Sequence, residues 1–466
     1  MKIAVIGTGY VGLVSGVCLA DLGHRVICID TDKDKIGKLD EGQIPIYEPG
    51  LKELVDSNVK AERLSFSTNL IDYIDVADAV MIAVGTPMSD NGSTDLKYVM
   101  EVADEIAFGV NETEREDDLL VIMKSTVPAG TNDKIRDRIL SKLDKSKRHL
   151  LHMASNPEFL KEGTAVNDFK HPDRIVIGYS DGYAKRLMTE LYCPEGNDEF
   201  ADKLFFTVNI KSAELIKYAS NCMLMSKVIF IDLIAKYCEA IGADVEDVAA
   251  GMGLDKRIGP AFLKAGPGTS GSCFIKDCKS LIYEFDSVGI KNRLLEGVDK
   301  ENRLMYDWPA DTLGRIRDRR KDFKPLMPLT IGILGTAFKA DTDDVRYSAA
   351  LYNTAYFVSK GYTVKHYDPK ATDNFLKSLP DYMDPSEDLS DEYIRDHIVT
   401  CSRAEDVFDD ADAVILMTDW DEFRELNMEN LVRRMANNVF IDARNQFNGY
   451  DMVRYGFDYY GIGKGI

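Results

Sequence analysis

KIAVIGTGYVG, from Lys2 to Gly12, decides the fold of this chain. A short apolar run, Ile3 to Ile6, breaks at a turn holding Gly7, Gly9 and Gly12. A helical pattern, VGLVSGVCLADLG, then runs to Gly23, and the next strand, HRVICID, ends in Asp30. Strand, glycine turn, helix and a second strand tipped by an acid are the parts of a dinucleotide cradle. Gly7 makes the tight turn, Gly9 lets a pyrophosphate approach the backbone, Gly12 lets helix pack on strand, and the helix N-terminus faces the phosphates. Asp30 accepts the ribose hydroxyls and repels a 2′-phosphate, so the reading is NAD rather than NADP.

Further strands follow. ADAVMIAVGTP (Ala77 to Pro87) carries Thr86 just past its end, and LLVIMKSTVPAG (Leu119 to Gly130) carries Ser125 and Thr126. Ligands in doubly wound sheets sit beyond the carboxyl ends of strands, so these hydroxyls are placed either to meet a ligand or to cap loops. The opening pattern recurs late in the chain. LTIGILGTAFK (Leu329 to Lys339) is strand and glycine turn, YTVKHYDP ends in Asp368, DADAVILMTDW repeats ADAVMIAVGTP, and NVFIDARN (Asn438 to Asn445) reads as a terminal strand. Its glycine pattern is incomplete, which points to a nucleotide other than a second NAD. Between the repeats, Ser212 to Gly242 is one uninterrupted helical pattern, with Ser212 as N-cap and Glu214 in its first turn. The expected class is α/β: two Rossmann-like doubly wound domains joined by a long central helix and a helical middle domain, divided as residues 1–210, 211–310 and 311–466.

Bulk properties exclude several roles. The 466 residues carry a formal net charge of −21, so no basic nucleic-acid footprint exists. Eight cysteines lie scattered without CxxC or cysteine–histidine metal spacing, which argues for a reducing compartment and no metal. The N-terminus starts directly in a strand, without a signal-peptide pattern. No uninterrupted apolar run is long enough to span a bilayer, so a cytoplasmic protein without a membrane partner is expected.

Candidate chemistry concentrates in GPGTSGSCFIKD, Gly266 to Asp277. Cys273 is a thiol nucleophile behind a run of small residues, with Lys276 and Asp277 close behind, and nearby positive charge favours the reactive thiolate. A turn with a buried structural cysteine has the same composition. Lys217 and Asn221, four apart, share a helical face and form either an oxyanion-stabilising pair or a solvated lysine beside a core-edge amide. Glu158 and Glu162 follow a strand in NPEFLKE, either as helix-start acids or as a base and a ligand contact. Lys339, Arg346 and Arg444 lie near strand ends or loops, where they meet phosphates or simply solvent.

KIAVIGTGYVGL, IPIYEPGL (Ile44 to Leu51), STVPAGT, NPEFLKEGTA, ELIKYASN, DKRIG, GSCFIKD and GTAFKADTDDVR together resemble the nucleotide-sugar 6-dehydrogenases, the UDP-glucose/GDP-mannose dehydrogenase family. The resemblance runs over nearly the whole chain. It implies oxidation of the 6-hydroxyl of a UDP-sugar, UDP-glucose before others, to a carboxylate with two NAD. Cys273 then captures the intermediate aldehyde as a thiohemiacetal that is oxidised to a thioester. Lys217 and Asn221 are implied to stabilise oxyanions, Asp277 to handle protons, Glu158 to act as base in thioester hydrolysis, and Thr126 to orient water. Whether Lys217 or a water on Asp277 takes the first proton stays open. Implied substrate contacts are Phe159, Leu160, Lys161, Glu162, Lys217, Asn221, Lys264, Lys339 and Arg444, with Arg257 reaching across from a neighbouring subunit of a homodimer or higher oligomer. Implied NAD contacts are Gly7, Gly9, Gly12, Asp30, Lys35, Thr86, Thr126, Glu162, Lys276 and Arg346. The chain departs from the family pattern at Thr269, where an aromatic is usual, at Ser270, usually glycine, at Ile275, usually proline, and at Ala443, also usually glycine. The first two leave a UDP-N-acetylhexosamine or GDP-mannose open as the sugar nucleotide. A nucleotide-sugar-binding protein without turnover, and a one-step 2-hydroxy-acid dehydrogenase, are the rivals in other classes.

Overall fold

The computed structural model describes residues 1–194, 204–320, 328–387 and 389–464. The chain divides into two compact units. The first is Met1–Ser220 with Lys279–Ile290, and the second is Asn221–Cys278 with Lys291–Ile466.

The first unit is built on an eight-stranded sheet. Its strands are β1 (Lys2–Ile6), β2 (Arg25–Ile29), β3 (Leu64–Ser67), β4 (Ala79–Ile82), β5 (Leu119–Met123), β6 (Leu151–Ser155), β7 (Ile175–Tyr179) and β8 (Phe205–Val208). They lie in the order β3-β2-β1-β4-β5-β6-β7-β8, parallel throughout except where β6 meets β7. The central strands read as unbroken apolar runs because helices cover both faces, and β4 and β5 are buried along their whole length. The order reverses between β1 and β4, which opens a crevice beyond their carboxyl ends.

The glycine turn has the geometry its spacing demands. Gly7 takes φ +99, and a Cβ there would come within 2.6 Å of the Ala83 carbonyl oxygen. A Cβ on Gly12 would sit 1.9 Å from the Gly7 oxygen, so helix and strand pack only because it is absent.

The second unit repeats the plan with six strands. They are β9 (Thr330–Leu334), β10 (Thr363–Tyr367), β11 (Ile398–Thr400), β12 (Ala413–Leu416), β13 (Val439–Asp442) and β14 (Asp458–Gly461), all parallel, in the order β11-β10-β9-β12-β13-β14. NVFIDARN is therefore not the terminal strand. The sheet gains β14, whose DYYG is too short and too polar to stand out in sequence, and which is held by pairing with β13.

The long helix spans Ile210–Ile241 and ends at Gly242, with φ +75. It starts two residues before Ser212, because Asn209 supplies the cap: its Oδ1 accepts the Ser212 N–H at 2.9 Å. By length and composition this helix could cross a bilayer, and 44% of its most apolar window is buried. Its polar side chains Glu214, Asp232 and Glu239 are spent on bonds inside the protein.

Candidate active site

The first unit presents the cradle expected for NAD. Gly9 stands at the N-terminus of helix Tyr10–Asp21 with no side chain capping it, and a Cβ on Gly9 would meet nothing within 4 Å. The first-turn amides thus face open space, as a pyrophosphate requires. Asp30 Oδ2 accepts from Thr8 N at 2.9 Å, Thr8 Oγ1 at 2.7 Å and Lys35 Nζ at 3.0 Å. Burial works to raise this carboxyl, but these donors and the Asp32 amide hold it below its usual value, so it stays an anion. Lys35 is thereby brought to Asp30. Thr86 Oγ1 donates to the Thr126 carbonyl at 3.0 Å and ties the loops after β4 and β5 together.

Glu158 and Lys217 meet in the same unit. Lys217 Nζ lies 3.2 Å from Glu158 Oε1, with both side chains under a tenth exposed. Glu158 Oε2 accepts from the Leu160 N–H at 2.6 Å, so the carboxylate is fixed at both oxygens. Phe159 takes the Arg174 guanidinium 4.0 Å above its ring and Lys217 Nζ at 5.4 Å. Lys161 is exposed and pairs with Asp168, while Glu162 is half-buried.

Three positioning residues escape a reading by motif. Glu48 Oε2 and Tyr10 OH both accept the Gly163 N–H at 2.8 Å, so IPIYEPGL and the glycine turn clamp the KEG turn. Glu214 is not a first-turn solvent acid. It is buried, and its carboxylate accepts from Gly130 N at 2.5 Å, Asn132 N at 2.8 Å and Asn132 Nδ2 at 2.8 Å. It caps helix Thr131–Lys142, which follows STVPAG, from the helix that carries Lys217. Only their placement between proline-rich or apolar neighbours hinted at these roles.

In the second unit Cys273 occupies the first turn of helix Ser272–Ser287. Seven of the eight cysteines are buried and Cys273 is exposed, which removes the reading as a buried structural thiol. A helix N-terminus favours the thiolate. Asp277, one turn on, is buried. Its Oδ2 accepts from Asn221 Nδ2 at 2.6 Å and its Oδ1 from Lys276 Nζ at 2.7 Å. The Asn221 amide is thereby oriented with one N–H spent on the carboxylate and the second still able to donate.

Among the remaining second-unit candidates, Lys264 and Arg444 both lie near Asp419, and Arg444 also reaches the carbonyl of Phe338, next to Lys339. Lys264 Nζ pairs with Asp419 at 2.5 Å. Arg444 donates from Nε to the Met417 carbonyl at 2.8 Å, and its guanidinium packs so closely on Gly266 that a Cβ there would lie 2.7 Å from Nη1. Lys339 lies 5.6 Å above its neighbour Phe338. Arg346 and Arg257 are exposed and paired locally with Asp344 and Asp255. Thr269 is buried and bonded to Asn302.

The incomplete second glycine turn has a physical counterpart. Asp368 stands at the tip of β10 as Asp30 does at β2, but all its capacity is used internally. Oδ2 accepts Thr336 N at 2.6 Å, Ala337 N at 2.9 Å and Trp420 Nε1 at 3.2 Å, and Oδ1 accepts Lys370 N and Ala371 N. No acceptor remains there for a ribose. Among the described residues no group of three His, Cys, Asp or Glu could hold a metal ion.

Comparison with known proteins adds the family. Its NAD binding domain, in the UDP-glucose/GDP-mannose dehydrogenase family, matches residues 1–195. The central domain matches 211–304 and the UDP binding domain 332–449. The chain is 41% identical over 475 residues to the UDP-glucose 6-dehydrogenase of Rhizobium meliloti (strain 1021), covering 100% of both. It is 40% identical over 467 residues to UDP-glucose 6-dehydrogenase TuaD of Bacillus subtilis (strain 168), covering 99% of this chain and 93% of the other. The solved UDP-glucose dehydrogenase of the hyperthermophilic archaeon Pyrobaculum islandicum superposes with a TM-score of 0.85 at 31% identity, covering 99% of this chain and 98% of that one.

Proposed function

The chain belongs to the UDP-glucose/GDP-mannose dehydrogenase family and is an NAD-dependent oxidoreductase; from there we propose that it oxidises the 6-hydroxyl of UDP-glucose to the carboxylate of UDP-glucuronate through Cys273. The observation that carries the thiol route is the exposure of Cys273 alone among eight cysteines, at the N-terminal turn of a helix. Bound NAD supplies the hydride acceptor, once for each of two oxidations.

The roles of the chain's own residues follow from their bonding. Cys273 Sγ adds to the aldehyde carbon, giving a thiohemiacetal whose oxidation leaves a thioester that water cleaves. Lys217 carries a positive charge in a buried setting and stabilises the oxygen that becomes anionic at the reacting carbon. Asn221 contributes the N–H not spent on Asp277. Glu158 is held at both oxygens and serves as base for the hydrolytic water, which Thr126 orients. Asp277 holds Asn221 and Lys276 and passes protons near Cys273. Gly7, Gly9, Gly12, Asp30, Lys35, Thr86, Thr126, Glu162, Lys276 and Arg346 serve NAD. Phe159, Leu160, Lys161, Glu162, Lys264, Lys339 and Arg444 serve the UDP-sugar.

We further propose that two copies associate through the long helix. Leu215, Met223, Phe230, Tyr237 and Ile241 recur along it at intervals of seven or eight residues, then four, and all are exposed. Arg257, mostly exposed, then reaches the partner's sugar nucleotide. The functional division is into residues 1–210, 211–310 and 311–466. The setting is the cytoplasm, a reading supported by eight cysteines without CxxC or cysteine–histidine metal spacing.

The test is NADH formed per sugar nucleotide, with UDP-glucose, UDP-N-acetylglucosamine, UDP-N-acetylmannosamine and GDP-mannose in parallel. The thiol route requires about two with UDP-glucose. Cys273→Ser should lose full oxidation while binding UDP-glucose as before. Tight binding without NADH from any of the four would establish a non-catalytic binder instead.

A further inference from the structure

The first unit buries a cation that no anion balances. Lys124, the residue after β5, is 4% exposed. Its Nζ donates to Asn156 Oδ1 at 3.1 Å and to Tyr192 OH at 3.3 Å, both neutral oxygens. Among the described residues no carboxylate stands at ion-pair distance from it. Lys217, buried in the same unit, is by contrast balanced by Glu158. An ammonium taken out of water against neutral dipoles alone costs stability, so its presence calls for a use other than holding the fold.

The bonds around Lys124 converge on Asn156. Asn156 Oδ1 also accepts from Tyr192 OH at 2.5 Å, and its Nδ2 donates to the Val176 carbonyl at 2.9 Å. Its backbone N–H donates to the Met123 carbonyl at 2.9 Å. Asn156 is thus tied to the end of β5 and to β7 at the point where the chain leaves β6. The Tyr192 ring packs on Phe169 and Phe205, which aims its hydroxyl. Pro157 and Glu158 follow directly. A proline ring fixes its own φ and narrows the backbone choices of the residue before it. Few soft torsions therefore separate Asn156 from Glu158. The Glu158 carboxylate in turn closes on the Leu160 N–H at 2.6 Å, so the placement of the turn sets the placement of the carboxylate.

We propose that Lys124 is a positioning residue for Glu158: its ammonium, with Tyr192 OH, clamps the Asn156 side chain and so holds the Asn156–Pro157–Glu158 turn. This deepens the proposed function and rests on it. In that route Glu158 takes a proton from water, the water oxygen adds to the thioester carbon, and the carbon–sulfur bond breaks to release the Cys273 thiolate and the sugar carboxylate. A turn that drifts slows this hydrolytic step and spares the oxidations before it. Lys124→Met leaves no group orphaned, because Tyr192 OH and Asn156 Oδ1 keep each other. It also removes a desolvated charge, so the variant should melt no lower than wild type.

The test mixes wild type, Lys124→Met, Tyr192→Phe and Glu158→Gln with UDP-glucose and excess NAD. It reads kcat, KM, Tm and the intact mass of the protein during turnover. In Lys124→Met kcat should fall about 10-fold, since a misplacement of about 1 Å costs about 100-fold and a smaller shift is expected here. KM for UDP-glucose should hardly move, and a thioester adduct should accumulate on Cys273. Tyr192→Phe should show the same pattern in smaller measure, and it decides the matter by the same readouts if Lys124→Met does not fold. An unchanged kcat overturns the inference. So does a slower turnover without adduct, which is what general loosening gives. Adduct in Glu158→Gln but in neither other variant overturns the inference alone. No adduct in Glu158→Gln overturns the role of Glu158 and this inference with it, and a wild type that forms no NADH overturns the proposed function as a whole.

Discussion

Replacing Asp232 by asparagine should stabilise the protein at alkaline pH and do little near pH 6. Asp232 lies on the long helix with no exposed surface, and its Oδ1 accepts the Gly266 N–H at 2.9 Å, while among the described residues none lies within hydrogen-bond distance and angle of Oδ2. Burial pushes the carboxyl up from 3.8 to about 8. The Gly266 and Gly268 amides and the charges of Arg444 and Lys236 pull it back only in part. The folded chain therefore keeps a proton between about pH 4 and pH 8 that the unfolded chain has released. Since the native state binds more protons, stability falls as pH rises through this window and levels off above about 8. The slope is at most about 1.4 kcal/mol per pH unit, and between pH 6 and pH 8 the loss sums to about 2 kcal/mol. An amide keeps the acceptor for Gly266 and has no proton to lose. Asp232→Asn should therefore gain on wild type by that amount over the interval, or roughly 4–8 °C in Tm for a unit of this size. Thermal melts of both proteins at constant ionic strength from pH 6 to 9 measure the gap, and titrations shared by both cancel. A gap that stays constant with pH, or that opens in favour of wild type, refutes the reasoning.

Three further outcomes are expected. Lys217→Met leaves Glu158 buried without its cation and should cost about 3–5 kcal/mol in urea denaturation. Adding Glu158→Gln should recover much of that stability while sugar oxidation stays lost. Gly12→Ala drives a methyl to 1.9 Å from the Gly7 oxygen and should abolish the quenching or enhancement seen on titration with NADH, since the turn cannot hold its shape. Met223→Asp with Tyr237→Asp places charge on the exposed stripe of the long helix and should halve the mass seen by light scattering if two copies meet there.

Local chemistry was legible in the sequence where a motif fits within a single turn. The glycine spacing of GTGYVG and the acid at Asp30 announced the cradle, because close backbone approach leaves no residue but glycine at Gly7 and Gly12. Periodicity alone placed Lys217 and Asn221 one turn apart on a helix ending at Gly242. The partners of these residues were not legible. Glu158 lies 59 positions from Lys217, and Asp277 lies 56 from Asn221, so only the folded backbone brings each pair to bonding distance. The same holds for Glu214 reaching Gly130, for Glu48 reaching Gly163 and for β14 joining β13. Asp30 and Asp368 stand at equivalent strand tips. Tertiary structure decided that Asp30 takes four internal donors, one of them on Oδ1, while Asp368 takes five. Short-range sterics are written in residue types and spacing. Desolvation and hydrogen-bond satisfaction depend on which distant groups share a volume, and that is set only when the chain has folded.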